Sequence, residues 1–536
     1  MVFTTAAVER WTTAGTLMGM ASDEGPDVVR LTVDGVAVEV PDDDGTLLEV
    51  LRGHLGNLSV KDGCSPQGQC GCCTVLVDGQ PRVSCVTPVR RVDGRTVTTL
   101  EGLAPAELTA WTDAFCATGG SQCGFCTPGI VVRFAGLRAS APEVSPPDRD
   151  RAARSLHAHL CRCTGWQTVL EAWDAYGTAP AATIGDPATG RRAALEGGTP
   201  QVVGPEVVAG RGGFAADTAP EGSLVAVSDG DGGWVVGSTL HEARLVAGRV
   251  QGRRTTVAAV PPLEAPDGEW DVVLRTSWVE PAYLETDASW CEPGGEASSP
   301  LANGGAFGAK LDSVTSAAAR ALADEHGRAV LAVLSREDTV QLGAKRPPVS
   351  GGALADGTGV MRVVRTPGVV EAIAAVAPGL VVEEVDVPGP PTSSSLRAAG
   401  WAEAVVLLAG AGALDGPVVS PDGATATAVV DDDGIHVSVR CGDPLDETVL
   451  RSYCVGAAHM AWSWVTSEAL SVDADGVVQD LTVRSFGVVR ATDTPPISVV
   501  IEDDGGEPVN GSDAVFAAVA AATWRHRGCP EDLPTG

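Results

Sequence analysis

The chain has 536 residues, of which 37 are lysine or arginine and 69 are aspartate or glutamate, so its formal net charge is −32. A surface this acidic repels nucleic-acid phosphates and anionic lipid head groups, so neither nucleic acid nor a membrane surface is an expected partner. The length suits roughly three or four domains of ~150 residues, and no apolar run approaches the ~20 residues of a membrane helix.

The cysteines are the most informative residue type in the chain. Ten of the 14 fall between Cys64 and Cys163. Residues 1–27 lack a basic region followed by an unbroken apolar stretch, so they predict no secretory signal and the expected location is cytoplasmic. In a large protein of a reducing compartment, clustered thiols usually bind metal rather than form disulfides.

Residues 28–102 are predicted to form a small β-rich domain. VVRLTVDGVAVEV alternates apolar and polar residues, CTVLVDGQPRVSC contains a turn, and RTVTTL closes the run. Between the first strands, TLLEVLRGHLG spaces its apolar residues as a helix does. The expected domain is therefore a sheet with one helix laid across it.

Residues 103–178 are predicted to form a helical domain. Apolar residues recur at helical spacing in four segments, around ELTAWTDAFCAT, GIVVRFAGLRAS, DRDRAARSLHAHL and TVLEAWDAYG. Residues 179–222 are rich in Ala, Gly, Pro and Thr with little periodicity. That composition predicts an extended linker lying over a surface.

Residues 223–528 mix two kinds of periodicity. The strand-like runs are WDVVLRTSWV, ATATAVV, IHVSVR and VVQDLTVRSF. The helical runs are SVTSAAARALADEHG, ETVLRSYCVGAAHMAWSWVTSEAL and SDAVFAAVAAATW. The predicted class is α+β overall, with α/β architecture in this last region. No strand precedes a glycine-rich phosphate loop and a helix, so no FAD-binding domain is predicted.

The glycine-rich loop KDGCSPQGQCGCCTV carries the first group of thiols. Cys64, Cys70 and Cys73 lie on it and Cys85 follows the next strand-like run, so four thiolates can converge. An iron–sulfur cluster needs anionic sulfur ligands, and glycines let the backbone wrap closely around its core. The first gap has five residues, where plant-type ferredoxins have four. Cys72 is an alternative ligand, but C-x2-C spacing favours Cys70 with Cys73.

A second group of thiols lies in the helical domain. QCGFCTPG supplies Cys123 and Cys126, and HLCRCTGW supplies Cys161 and Cys163, all at predicted helix ends. Helix N-terminal amides favour the negative charge of a thiolate-ligated cluster. A structural zinc site is the alternative, although a C-x-C pair is less usual for zinc. The sequence therefore predicts two 2Fe-2S clusters on eight cysteines.

Residues 28 to about 178 resemble the iron–sulfur domains of the xanthine dehydrogenase and aldehyde oxidase family of molybdenum hydroxylases. The resemblance implies a β-grasp ferredoxin domain followed by a helical bundle. It makes the second thiol group the ligands of a cluster proximal to molybdopterin, and the first group those of a distal cluster that passes electrons outward. Gln122 matches the family glutamine that hydrogen-bonds the pterin. A solvent-exposed loop glutamine is the alternative.

Residues 223–528 resemble the family's molybdenum-binding subunit in separate pieces that keep the family's order. The sharpest is GGAFGAK, which is similar to a GGGFGGK turn whose main-chain amides face the molybdenum ligands. Arg397 in LRAAG matches a family arginine that neutralises charge in the substrate pocket, with a surface ion pair as the alternative. The resemblance implies cofactor contacts from the turn residues Gly304, Gly305, Phe307 and Gly308.

The departures from the family pattern concern the active site. The region is considerably shorter than the family's molybdenum subunit, and the glutamine near the metal's apical oxygen has no counterpart. The catalytic glutamate of the family should fall around EPVNGSDAVFAA. Glu507 and Asp513 are the nearby carboxylates, and neither aligns with it, so the general base is unassigned.

Two interpretations follow from these patterns. In the first, the chain is an oxidoreductase in which an aldehyde or N-heterocycle is hydroxylated at a molybdopterin site. Electrons then leave through both clusters to a separate FAD subunit or another acceptor. In the second, the chain is a non-catalytic electron-transfer and scaffold subunit that docks a full-length molybdenum subunit. His241, His459 and Cys116 are expected to be structural.

Overall fold

A computed structural model describes residues 28–42, 45–141, 147–182, 186–230, 232–248, 255–299 and 305–536. Residues 1–27, considered above for a secretory signal, and Gly304 of the glycine-rich turn lie outside these ranges. Within the ranges, no helix combines the length and the apolarity needed to cross a bilayer.

The first part of the chain forms a mixed five-stranded sheet crossed by a short helix. Its strands, in spatial order, are Val36–Pro41, Val28–Val33, Thr96–Thr98, Thr74–Val77 and Gln80–Val83. The helix Leu47–Glu49 continues as a π-helical turn, Val50–His54. Thr46 and Glu49 form a capping box at its start, which satisfies amide groups left unpaired at a helix N-terminus.

Four helices follow and enclose an aromatic core. Trp111 is fully buried and contacts the rings of Phe134 and Trp173 at centroid distances of 5.6 and 6.0 Å. The helical spacing read from the sequence thus marks the residues that pack together. The helices are Pro105–Thr118, Thr127–Ala139, Arg149–Ser155 and Gln167–Ala175.

The segment predicted as an extended linker is partly helical. It contains the helices Pro187–Gly197, Pro205–Val208 and Ala215–Thr218. Arg192 is fully buried, pairs with Glu196 at 3.0 Å and donates to the carbonyls of Pro444 and Val509. This helix has few apolar residues. It is anchored by the buried ion pair between Arg192 and Glu196. Asp186, which caps its N-terminus ahead of a proline, is its one clear sequence signal.

The described residues of the C-terminal region form three sheets. The first has the order Trp234–Gly237, Leu224–Ser228, Val330–Val333, Ala288–Cys291, and the second the order Leu380–Val385, Gly359–Val364, Val349–Ala353, Val272–Thr276, Asp532–Leu533. The third has the order Val418–Val419, Thr425–Asp431, Gly434–Arg440, Ile497–Ile501. The helices are Leu240–Ala247, Thr315–His326, Arg336–Leu342, Val369–Val376, Trp401–Gly410, Glu447–Thr466 and Ser512–His526.

One strand-like run of the sequence does not form a strand. VVQDLTVRSF gives a single bridge between Val472 and Val478 and a 3₁₀ turn, Val483–Phe486. The amide of Val483 donates to the side chain of Gln67. The backbone amide of Val483 is therefore satisfied by a side chain from the first cysteine loop and not by a neighbouring strand.

The helix Glu447–Thr466 joins the C-terminal region to the helical domain. A Cβ atom at Gly456 would lie 1.7 Å from the carbonyl oxygen of Cys163, so only glycine permits this approach. Ser452 donates a hydrogen bond to the carbonyl of Gly119 at 2.6 Å. The second cysteine group is thus packed directly against this helix.

Candidate iron–sulfur site

The first group of cysteines is buried at one end of the five-stranded sheet. Cys64, Cys70 and Cys73 lie on the loop before the strand Thr74–Val77, and Cys85 lies in a 3₁₀ turn, Ser84–Val86. Hydrogen bonds from the Cys70 and Cys85 thiols hold the pKa of Cys64 well below its ordinary value. The Cys64 sulfur also accepts two backbone N–H groups. The contacts therefore favour the thiolate form of Cys64, which is the form that ligates metal.

Cys72 is fully buried beside this group. Burial is the main cause of its raised pKa, so the thiol form is favoured. Its sulfur and that of Cys70 both lie close to Gly63, at 3.1 and 3.0 Å from the position that a Cβ atom would take there. Cys72 is therefore near enough to be an alternative ligand, and its assignment as a bystander stays a prediction.

Paired variants separate Cys72 from Cys73. We expect Cys73→Ser to remove the distal cluster and about half of the iron, because serine is a poor ligand for iron in such a cluster. Cys72→Ser should leave the iron content and the EPR spectrum of the reduced protein unchanged. Loss of iron in Cys72→Ser with normal iron in Cys73→Ser would reverse the assignment.

The second group is formed by two short segments that meet. Cys126 caps the helix Thr127–Ala139, and Cys161 and Cys163 precede the helix Gln167–Ala175. The sulfurs of Cys163 and Cys123 are 3.5 Å apart. A hydrogen bond from Cys126 lowers the pKa of Cys161 to about 6. Each close pair therefore takes one thiol from each segment, and two pairs are what a two-iron cluster requires.

Each thiol of the first group contacts at least one other thiol of that group. Cys64 interacts with Cys70 and with Cys85, and Cys85 interacts with Cys73. Among the residues that the structure describes, no set of three or more His, Cys, Asp or Glu side chains is arranged to hold a single metal ion.

The two thiol groups are connected through the backbone. The carbonyl of Cys70 accepts a 2.9 Å hydrogen bond from the N–H of Leu160, the residue before Cys161. Gly71 lies against His159, because a Cβ atom there would be 2.4 Å from the imidazole ring. Burial lowers the pKa of His159 to about 3, so this ring is neutral. The two thiol groups are therefore joined by direct contact between their segments.

Gln122 is buried, not exposed on a loop. Its Nε2 donates to the carbonyl of Cys163 and to the hydroxyl of Ser452, both at 2.9 Å. Its Oε1 is buried without a hydrogen-bond partner. An orphaned carbonyl oxygen next to the second thiol group is a ready acceptor for a ligand donor.

The glycine-rich turn packs onto the same thiols. A Cβ atom at Gly305 would be 2.9 Å from the Cβ and 3.0 Å from the sulfur of Cys123. A Cβ atom at Gly308 would be 1.8 Å from the carbonyl oxygen of Ser395. Phe307 has a positive φ of 47° and places its ring 3.9 Å from the guanidinium of Arg397. Gly305 is thus brought to the second thiol group, Phe307 to Arg397, and Gly308 to Ser395 two residues before Arg397.

The close approach of Gly305 to Cys123 can be tested by substitution. Gly305→Ala should displace the Cys123 thiol, lower the iron content towards half and destabilise the fold by about 1–3 kcal/mol, since φ is +82° as well. Gly327→Ala is the matched control, because its φ is +61° and no atom lies within 4 Å of the added Cβ. Iron per chain and the melting temperature measure the difference. Equal iron in both variants would contradict the contact.

Arg397 is an internal side chain rather than a surface one. It is 5% exposed, and its Nε donates to Asp513 at 3.0 Å while Nη2 donates to Ser512 at 2.9 Å. Burial raises the pKa of Asp513. A cavity of 170 Å³ lies beside this pair, lined by Gly197, Thr199, Phe307, Gly308, Asn510 and Asp513 among others.

The two carboxylates considered for the catalytic base differ in position. Asp513 lines the cavity beside Arg397. The Glu507 side chain is 83% exposed and pairs with Arg191 at 3.2 Å, outside that cavity. Of the two, only Asp513 is placed near the predicted substrate-pocket residue, and its carboxylate already accepts from Arg397.

The buried ion pair beside the second thiol group carries no recognisable sequence signal. Arg162, between Cys161 and Cys163, forms a two-point buried ion pair with Glu468 at 2.5 and 2.8 Å.

The two histidines expected to be structural have ordinary partners. Nε2 of His459 lies 3.1 Å from the carbonyl of Val489, and His241 lies 3.3 Å from Glu49.

The comparisons with known proteins concentrate on the same segment. Residues 31–93 match the model of the 2Fe-2S iron-sulfur cluster binding domain, and residues 99–174 match the [2Fe-2S] binding domain. The xanthine dehydrogenase iron-sulfur-binding subunit of Escherichia coli O157:H7 is 38% identical over 143 residues, which are 26% of this chain and 89% of that protein. The chain belongs to the molybdenum hydroxylase family.

Two further relatives define how far this membership extends. The nicotine 6-hydroxylase small subunit of Paenarthrobacter nicotinovorans is 38% identical over 128 residues, 23% of this chain and 75% of that protein. The aldehyde oxidoreductase of Megalodesulfovibrio gigas is 41% identical over 146 residues, but these span only 16% of its length. The relatives are oxidoreductases, and the sequence match covers the two 2Fe-2S-binding domains of this molybdenum hydroxylase homologue.

Solved structures extend the likeness to the whole fold. The aldehyde oxidoreductase of Desulfovibrio gigas has a TM-score of 0.67 at 15% identity, covering 95% of this chain and 99% of that one. The enzyme of Desulfovibrio desulfuricans gives 0.68 at 14%, with the same coverage. These likenesses concern the fold alone, and they confirm the predicted α+β class with its ferredoxin-like and helical parts.

Proposed function

We propose that this chain is an iron–sulfur oxidoreductase of the molybdenum hydroxylase type. It passes electrons from a molybdopterin site through two 2Fe-2S clusters to an external acceptor, during hydroxylation of an aldehyde or an N-heterocycle. The observation that carries the proposal is the pair of buried four-thiol groups joined through Cys70 and Leu160. When bound, each cluster supplies a one-electron redox centre.

The residues of the chain support this role by holding and shielding the clusters. The proposed distal ligands are Cys64, Cys70, Cys73 and Cys85, and the proposed proximal ligands are Cys123, Cys126, Cys161 and Cys163. Backbone N–H groups donate to the Cys64 sulfur, and Thr164 lies 3.1 Å from the Cys161 sulfur. Hydrogen bonds to ligand sulfurs and exclusion of solvent are the main protein influences on cluster potential.

Among the described residues, the cavities beside the glycine-rich turn and Arg397 are too small for molybdopterin. The cavities that touch Gly305, Phe307 and Arg397 have volumes of 10, 30 and 170 Å³. Pockets for molecules of that size are typically ~300–1,000 Å³. The buried Oε1 of Gln122 is the one feature that suits a pterin donor. The described residues around the turn therefore do not fit a bound molybdopterin.

The cavity volumes favour a second candidate function. In it, the chain is a non-catalytic electron-transfer subunit whose C-terminal region docks a complete molybdenum subunit. The relatives of Escherichia coli and Paenarthrobacter nicotinovorans are themselves named as subunits, which supports partner subunits for this chain. A separate FAD subunit or another acceptor belongs to either version.

Metal analysis separates the two versions. The chain is purified alone from cells grown with added molybdate, and iron, molybdenum and zinc are measured together. We expect about four iron atoms per chain, from two two-iron domains, and molybdenum far below one per chain. About one molybdenum atom per chain would place the molybdopterin site here and support catalysis by this chain.

A further inference from the structure

Two adjoining cavities lie between the first sheet and the C-terminal region, away from the molybdopterin-like residues. Their volumes are 380 and 410 Å³. Both fall within the ~300–1,000 Å³ typical of small-molecule sites. Their shared wall is formed by Glu49, Ser65, Leu240, His241, Arg244 and Val333.

These cavities touch the residues around both thiol groups. Cys85 lines the second cavity, and Ser65, the neighbour of Cys64, lines both. Phe125, between Cys123 and Cys126, lines the first cavity. A molecule held here would therefore lie against the distal group and near the proximal one, where electron transfer is favourable.

The first cavity offers flat apolar surface. Phe125 and Phe214 form an edge-to-face pair with centroids 5.0 Å apart, and both rings line the cavity. Leu48, Leu58 and Leu331 contribute further apolar wall. Such a lining favours a planar, largely apolar ring, because aromatic faces bury well against aromatic edges.

The cationic side chains of this cavity are already engaged. Arg52 and Lys61 both bind Asp217, and Arg244 binds Asp62 at 2.9 Å. Each lysine and arginine that lines the first cavity therefore has a carboxylate partner within the described part of the chain. A phosphate group would have to displace one of these carboxylates, so the geometry disfavours a flavin nucleotide and favours an uncharged ligand.

Two carboxyl groups that line this cavity, those of Glu285 and Asp62, each have one buried oxygen without a hydrogen-bond partner, Oε1 and Oδ1 respectively. Glu285 is 7% exposed, and its other oxygen accepts from Lys310 at 2.8 Å. Burial raises the pKa of Glu285, so this carboxyl is suited to exchange a proton with a ligand oxygen. Because these oxygens accept hydrogen bonds, they suit a ligand whose reduced form carries hydroxyl donors, as a hydroquinone does.

We propose that the two cavities bind an uncharged quinone, which accepts the electrons that leave the distal group. This inference rests on the proposed electron-transfer function and names the class of its acceptor. The quinone takes two electrons, one at a time, from reduced 2Fe-2S clusters, together with two protons, and becomes the hydroquinone. The clusters return to their oxidised state.

Calorimetric titration of the oxidised full-length chain with duroquinone tests the site directly. Duroquinone has no free ring position, so it cannot add to the thiols. We expect saturable binding, weakened about tenfold or more by Ala216→Phe or by Leu331→Trp, since each fills the first cavity. Ala106→Phe, at an exposed helix position, should stay within about twofold. FMN should give no saturable binding.

A second readout follows the electrons. The chain is reduced with dithionite, desalted anaerobically and mixed with duroquinone while the visible absorbance of the clusters is recorded. Reoxidation whose rate saturates with duroquinone, and loses saturation in the two filling variants, supports the site. Saturable binding of FMN, or no binding of duroquinone to a chain whose clusters form and reduce normally, would overturn the inference while leaving the proposed electron-transfer function intact.

Discussion

Replacing Cys123 by serine is expected to halve the iron content of the chain, from about four to about two atoms. The proximal EPR signal of the reduced protein should disappear and the distal one should remain. The reason is local, because Cys123 forms one of the two close thiol pairs of that group, 3.5 Å from the Cys163 sulfur. A single missing thiolate leaves one iron without its full ligand set.

Cys116→Ser is the matched control for this variant. Cys116 lies on the helix Pro105–Thr118, and burial together with Asp113 raises its pKa to about 12, so it is an inert thiol. We expect normal iron and both signals in this control. Two unchanged EPR signals in Cys123→Ser, with iron still near four atoms, would remove Cys123 from the ligand set.

Replacing Glu468 by alanine is expected to destabilise the chain by about 3–5 kcal/mol, because it leaves a buried arginine without its partner. Arg162 and Glu468 are only 6% and 1% exposed. Arg162 lies between two proximal thiols, so the loss should also broaden or diminish the proximal EPR signal. Thermal unfolding followed by calorimetry, together with EPR of the reduced protein, measures both effects.

Asp174→Ala serves as the control for the buried pair. Arg149 and Asp174 also form an ion pair, but their side chains are 40% and 49% exposed. Exposed pairs contribute about 0–1 kcal/mol, so the melting temperature should barely move. Equal shifts in Glu468→Ala and Asp174→Ala would contradict the structural role assigned to the buried bridge.

The thiol groups and the main elements could be predicted because their signals are local. Cysteine spacing, glycine content and apolar periodicity can each be read within a short segment of the sequence. The four helices from Pro105 onward lie where the apolar periodicity predicts them. The two 2Fe-2S-binding domains read from those segments are confirmed by the family matches. The individual ligand assignments stay predictions.

What could not be predicted depends on contacts between distant parts of the chain. Gln122 is buried because Ser452, 330 residues away in sequence, meets it. In the turn that forms where a strand was predicted, the amide of Val483 donates to Gln67, far away in the sequence. Arg192 fixes a helix in the supposed linker through carbonyls near residue 444. None of these partners leaves a periodic trace in the sequence, so only the fold brings them together.

The most direct test for two 2Fe-2S clusters is iron analysis combined with low-temperature EPR on the full chain after reduction. We expect about four iron atoms per chain and two distinct signals, one for each thiol group. Zinc in place of iron with no such signals, or a single cluster at full iron loading, would contradict the assignment of two 2Fe-2S clusters to these eight cysteines.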